Sequence, residues 1–215
     1  MQHPNSLFPS LYAIVDAGLT QEPVSFAQRL AEAGACLIQL RDKRSTARRI
    51  YVQAEEMVRV LGPRGVHFIL NDRADIAAMA GASGVHVGQD DLPVEDARRI
   101  CRPPRWVGVS THNVNQLREA ALTSADYIAV GPIFPTATKE NPDPVVGLEL
   151  LREARQLTAK PLVAIGGINT GNAAAVFAAG ADSVAVIGDL ASATDPGERV
   201  REFLSIAESA LSRRS

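Results

Sequence analysis

The chain is short of cysteine, of long apolar runs and of net charge, and each shortage removes a class of protein. Cys36 and Cys101 are the two cysteines in 215 residues. They match no metal-ligand spacing and are too few for a disulfide framework, so they read as packing residues in a reducing compartment. No apolar stretch approaches the roughly 18 residues that mark a membrane span. The opening "MQHPNSLFPS" lacks a basic segment followed by an apolar run, so it does not have the form of a signal peptide. Lys and Arg total 22 against 24 for Asp and Glu, a formal charge of −2, which argues against nucleic acid as the main partner. These features together predict a cytoplasmic protein that binds neither membrane nor nucleic acid.

What is present is strongly patterned. A 46% hydrophobic content supports a sizeable core, and one domain over residues 1–215 is the default at this length. Within it, residues 1–10 or so form an N-terminal extension and about 196–212 a final helix. Short apolar, β-branched runs recur throughout: "LYAIVD", "LIQLRD", "HFILND", "GVHVGQ", "WVGVST", "YIAVGPIF", "PLVAIGGI" and "SVAVIG". Each is followed by a helix-like stretch, such as "STARRIYVQAEEMVRVLG" or "GLELLREARQLT", with apolar residues every three or four positions. Parallel strands need crossovers of about a dozen residues, which the helices supply. Eight strand-like and eight helix-like segments in strict alternation predict a single (β/α)8 TIM barrel of parallel strands.

In such a barrel the site lies at the C-terminal strand tips and the loops after them. Polar residues crowd those tips: Asp16, Gln39, Arg41, Lys43, Asn71, Asp72, Gln89, Asp91, Ser110, Thr111, Thr136, Thr138 and Lys139. In "QLRDK", alternation turns Gln39, Arg41 and Lys43 to one face, a planar fork and a mobile point charge suited to a multiply charged anion. An ion-pair cluster around Asp42 is the structural alternative. Asp72 and Asp91 follow adjacent strands, close enough to share a cation. Oxygen ligands alone favour Mg2+, which keeps several waters and bridges carboxylates to phosphates; ordinary solvated carboxylates are the other reading. "GPIFPTATK" presents Thr136, Thr138 and Lys139 as oxyanion donors or as a stiff surface turn. Gly166, Gly167 and Gly188, after the seventh and eighth strands, sit where barrels bind phosphate through backbone N–H groups, although glycines also relieve crowding. His86, mid-strand, either lines the site or is a hydrogen-bonded core histidine.

Taken in order, "QLRDK", "NDR", "GVHVGQDDLP", "GVSTHN", "DYIAVGPIFPTATK" and "AIGGI" closely resemble the thiamine phosphate synthase family, from about Tyr12 to Gly188. The resemblance implies a Mg2+-dependent enzyme that joins hydroxymethylpyrimidine diphosphate to a thiazole (or carboxythiazole) phosphate and releases pyrophosphate. It implies that Gln39, Arg41, Lys43, Asn71, Ser110 and Lys139 contact the pyrimidine diphosphate. Of these, Arg41, Lys43, Ser110 and Lys139 would assist the chemistry. Asp72 and Asp91 would hold Mg2+, and Thr136, Thr138, Gly167, Ile187 and Gly188 would bind the thiazole phosphate. Tyr12 and His86 would be pocket walls.

The implied mechanism is dissociative, with a transient pyrimidine-methyl cation, and needs no protein nucleophile. None of the nucleophile-base arrangements is evident in the sequence. The chain departs from the family at Ile187-Gly188-Asp189, where many members carry Val-Ser; the hydroxyl is lost, and Asp189 would repel a phosphate unless turned away. Two rivals share the fold: a thiazole tautomerase-like paralogue, which has no use for a metal-diphosphate site, and a non-catalytic barrel that binds phosphate ligands. The chain is compatible with a homo-oligomer.

Overall fold

Every one of the eight apolar runs becomes a strand in the computed structural model, which describes residues 8–136 and 143–213. The strands are β1 (Leu11–Asp16), β2 (Leu37–Arg41), β3 (His67–Asn71), β4 (Gly84–Val87), β5 (Trp106–Thr111), β6 (Tyr127–Val130), β7 (Leu162–Ile165) and β8 (Ser183–Val186). They pair in parallel in sequence order, and β1 closes on β8. The result is the (β/α)8 barrel that the alternation predicts.

Strand alternation divides the apolar residues into two cores. Leu11, Ala13, Val15, Ile38, Leu40, Phe68, Leu70, Val85 and Val107 face outward and pack under the helices. Tyr12, Ile14, Leu37, Ile69, Tyr127, Ala129, Val163 and Ala185 fill the barrel itself. Phe8 closes the lower end, stacked on Trp106 with ring centroids 5.3 Å apart, and His67 stacks on the same indole at 4.3 Å. A packed interior leaves only the upper end for chemistry.

The helices are α1 (Pro23–Glu32), α2 (Ala47–Leu61), α3 (Ala74–Ala80), α4 (Val94–Ile100), α5 (Val114–Leu122), α6 (Gly147–Leu157), α7 (Ala173–Ala178), α8 (Gly188–Ala191) and α9 (Pro196–Leu211). Side chains fix several starts. Asn113 accepts from the backbone N–H groups of Asn115 and Gln116 at 3.0 Å each. Asp195 caps α9 through Gly197 and Glu198 at 2.8 and 3.0 Å, with Pro196 at the first helical position. Each such cap is worth ~1 kcal/mol. Among the described residues α8 is an addition to the eight helices the pattern predicts. Four residues carry no readable period, so Gly188-Asp189 opens a short helix rather than ending a strand. Among the described residues no helix is long and apolar enough to cross a membrane.

Candidate active site

The upper end of the barrel opens into a cavity of about 1190 Å³. That exceeds the usual range for one small ligand, roughly 300–1,000 Å³, and leaves room for two substrates side by side. Gln39, Arg41, Lys43, Asn71, Asp72, Asp91, Ser110, Thr136, Gly167, Ile187 and Gly188 all line it, as do Tyr12, His86 and Gly166. Of the strand-tip residues, Gln89 and Thr111 do not line it: Gln89 donates to the Ser110 carbonyl and buried Thr111 to the Ala129 carbonyl. Thr138 and Lys139 lie outside the described residues.

On the side of β1 to β5 the cavity is built by charged side chains. Arg41, the last residue of β2, pairs with Asp16 at the tip of β1. Asp16 is buried, and its other oxygen accepts from the Gly18 N–H at 2.8 Å. A buried carboxylate anchored in this way holds the guanidinium fork in one pose. Lys43 lies beyond the strand and pairs with Asp72 at 2.5 Å. Both cations thus reach the cavity already oriented by an aspartate. Asp42 faces another way: it accepts from the Arg44 and Ser45 N–H groups at 3.0 and 2.9 Å, which shapes the turn into α2.

Asp72 has an unusual backbone. Its φ of +63° is the left-handed conformation, rare outside glycine, and its N–H donates to the His86 carbonyl at 2.7 Å. Such outliers persist where the surroundings over-determine them, often at functional sites. The conformation puts the Asp72 carboxyl within hydrogen-bonding reach of Asp91, whose Oδ2 also accepts from the Gly88 N–H at 2.7 Å. Burial raises the pKa of Asp72; the Lys43 hydrogen bond opposes that rise and the Asp91 carboxylate adds to it. Two carboxylates in contact repel unless they share a proton or a cation. Among the described residues no cluster of three or more metal-ligating side chains occurs. This pair suits a divalent ion that takes the rest of its shell from water and phosphate oxygens, the habit of Mg2+.

On the side of β6 to β8 the cavity is lined by glycines and mostly neutral side chains, with Asp143 and Asp189 as the charged groups. Gly166 and Gly167 have φ of +98° and +63°. A Cβ on Gly167 would stand 2.5 Å from the Pro135 carbonyl oxygen, so glycine is required there by both conformation and space. Asn172 clamps this loop by donating to the Gly167 carbonyl at 2.9 Å. Across from it, Gly188 begins α8. Asp189 also lines the cavity, and Arg199, on α9, donates to its carboxylate at 2.7 Å, which offsets part of its charge.

At the cavity floor, polar side chains join across the barrel, and Tyr12, Gln39, His86 and Ser110 among them line the cavity. Gln39 Nε2 donates to the Tyr12 hydroxyl at 2.6 Å, which meets the Tyr127 hydroxyl at 2.9 Å. His86 lies 3.1 Å from Tyr127 through Nδ1 and 2.9 Å from Ser110 Oγ through Nε2. His86 is thus both a cavity wall and a hydrogen-bonded core histidine. Asp16, Tyr127 and Arg199 were not assigned to the site from sequence. Asp16 was readable as a tip residue. Tyr127 begins its strand, where no site residue is expected, and Arg199 gives no local signal.

A closed barrel whose mouth gathers paired cations, a carboxylate pair and glycine loops defines an enzyme acting on small molecules. The model of one family, described as thiamine monophosphate synthase, matches residues 11–190. The chain belongs to that family. It is 53% identical to the thiamine-phosphate synthase of Koribacter versatilis over 207 residues, covering 94% of this chain and 97% of the relative. It is 42% identical to that of Methanocella arvoryzae, covering 91% and 93%. Among solved structures, the thiamine phosphate pyrophosphorylase of Pyrococcus furiosus superposes with a TM-score of 0.86 at 35% identity, covering 94% and 96%.

Proposed function

We propose that this enzyme condenses hydroxymethylpyrimidine diphosphate with a thiazole phosphate, forming thiamine phosphate and pyrophosphate in the cytoplasm. The observation that carries the reading is the contact between Asp72 and Asp91, flanked by Lys43, in the same cavity as the Gly166-Gly167 and Gly188 backbones. A diphosphate belongs with the first group and a monophosphate ester with the second. The carboxylate pair also favours this reaction over the tautomerase-like reading, which calls for no diphosphate site.

Asp72 and Asp91 would hold Mg2+, which when bound neutralises charge on the diphosphate. Arg41 and Lys43 orient the diphosphate, with Asn71 as a neutral partner. Lys139 carries the remaining positive charge toward the departing group. In the reaction the carbon–oxygen bond to the diphosphate breaks, with its electron pair leaving on the pyrophosphate. The thiazole nitrogen lone pair then forms the new carbon–nitrogen bond at the pyrimidine methylene. No protein nucleophile takes part. The task of the chain is to stabilise the leaving charge and to hold two rings in register while water is kept out. Ser110 faces the pyrimidine, and Thr136, Thr138, Gly167, Ile187 and Gly188 hold the thiazole phosphate.

The test supplies both substrates with Mg2+ and measures pyrophosphate and thiamine phosphate, expected in equal amounts. Tight binding of both substrates without product would favour the binding-barrel reading instead.

A further inference from the structure

Five side chains on five strands form the line Gln39, Tyr12, Tyr127, His86 and Ser110, with successive separations of 2.6, 2.9, 3.1 and 2.9 Å. Its direction follows from counting hydrogens. Gln39 Nε2 can only donate, so the Tyr12 oxygen accepts. The single Tyr12 hydrogen then goes to Tyr127, the other partner of that hydroxyl. The Tyr127 hydrogen in turn goes to His86 Nδ1. A neutral imidazole that accepts at Nδ1 carries its proton on Nε2 and donates it to Ser110 Oγ. The hydrogen of Ser110 has no acceptor left within the line, and Ser110 lines the cavity.

Packing alone does not call for these groups. The Tyr127 ring seats over Gly108, where a Cβ would lie 2.0 Å from Cζ, so the strand is shaped to the ring. Phenylalanine would fill the same space without desolvating a hydroxyl. Burial pushes the pKa of both phenols well above the ordinary value, so both keep the hydrogens that the line requires.

We propose that this line is a directional relay whose polarity is set by Gln39. It fixes His86 as the Nε2–H tautomer and presents Ser110 to the cavity as a hydrogen-bond donor, selecting a heteroaromatic ring with a lone-pair nitrogen at that point. Tyr12, Tyr127 and His86 are positioning residues. The selectivity half rests on the placement of the pyrimidine against Ser110; the tautomer half does not.

The experiment is nitrogen NMR of the full chain with labelled histidine, without ligand. Wild type is expected to show His86 as Nε2–H. Gln39→Glu replaces the donor by an acceptor, so each hydrogen should turn round, giving Nδ1–H at His86 and a Ser110 that offers lone pairs. Tyr127→Phe keeps the ring but cuts the line, and should leave both tautomers populated. Wild-type His86 found as Nδ1–H or as imidazolium would overturn the relay. An unchanged tautomer in Gln39→Glu would overturn the role of Gln39.

Binding is then measured for hydroxymethylpyrimidine diphosphate and for analogues with CH in place of each ring nitrogen. Wild type should bind one analogue about tenfold more weakly, and Gln39→Glu should lose that discrimination. Thiazole phosphate binding should be unchanged in Tyr127→Phe. Tautomers as expected with no discrimination among the analogues would overturn the placement of the pyrimidine and leave the relay standing.

Discussion

The two halves of the barrel mouth answer to different chemistry. From β1 to β5 the wall is made of charged side chains: Arg41 and Lys43 are paired in advance with Asp16 and Asp72, while Asp72 and Asp91 set two like charges side by side. From β6 to β8 it is lined by Gly166, Gly167 and Gly188 among mostly neutral side chains, and a Cβ on Gly166 or Gly167 would collide with the loop of residues 132–135. The first half is damaged by removing an atom and the second by adding one. Cations held in place by aspartates suit a multiply charged diphosphate, whereas glycine loops suit a phosphate that only anchors its ring.

The most severe break falls on the charged half. Asp72→Asn keeps a residue that tolerates positive φ but removes one metal-ligating charge. Turnover should fall by on the order of 10²–10³-fold, as for loss of one key electrostatic group, and Mg2+ dependence should vanish with the circular dichroism unchanged. Full activity of this variant would end the metal reading. In the glycine-lined half, Gly167→Ala adds a Cβ against the Pro135 carbonyl at positive φ. Left-handed strain of about 1–2 kcal/mol plus that contact should raise KM for thiazole phosphate roughly 10–100-fold. KM for the diphosphate should stay near wild type, and steady-state kinetics with each substrate varied would show whether the halves are independent.

A smaller effect probes the seam between the two halves. Arg199→Ala frees Asp189 beside the proposed phosphate position. The expected rise in KM for thiazole phosphate is about 2–5-fold, as for one partly exposed ion pair, and larger at low ionic strength. Identical values at both salt concentrations would contradict it. The mildest change is in stability. Asp91→Asn removes the like charge beside Asp72 but keeps an oxygen for the Gly88 N–H, so the metal-free protein should gain on the order of 1 kcal/mol or less.

The sign with pH is specific. A carboxyl whose folded pKa is raised contributes stability below its ordinary value, near pH 4, and loses it as pH rises through the raised value. Metal-free wild type should therefore lose stability upward through that window, and Asp91→Asn should flatten the loss. Thermal melts in chelator across pH would measure both, and a Mg2+-induced shift in Tm should be present only in wild type.

The difference between the halves also accounts for what could be read in advance. Alternation along β2 places Gln39 and Arg41 inward from sequence alone, and the Asn71-Asp72 and Asp90-Asp91 pairs mark adjacent strand ends. Gly166-Gly167 is legible as a tight, glycine-requiring turn at a strand tip, although sequence alone does not separate relief of crowding from phosphate binding. What escaped is pairing at a distance. Asp16 with Arg41, Tyr12 with Tyr127 and Asp189 with Arg199 are separated by 25, 115 and 10 residues. No local period encodes such meetings, because closure of the barrel makes them. Tyr127 shows this most clearly: it starts a strand yet reaches up to the floor of the site. The short helix after β8 escaped for the opposite reason, being too brief for any pattern.

The Asp189–Arg199 pair ties the electrostatics of the phosphate end to the last helix of the chain. On the ribosome, a nascent chain that has extruded β8 but not residue 199 would carry an unmasked carboxylate at the mouth and would repel its own anionic substrate. The last few-fold of affinity for that substrate should therefore arrive late in synthesis, once the final helix has docked.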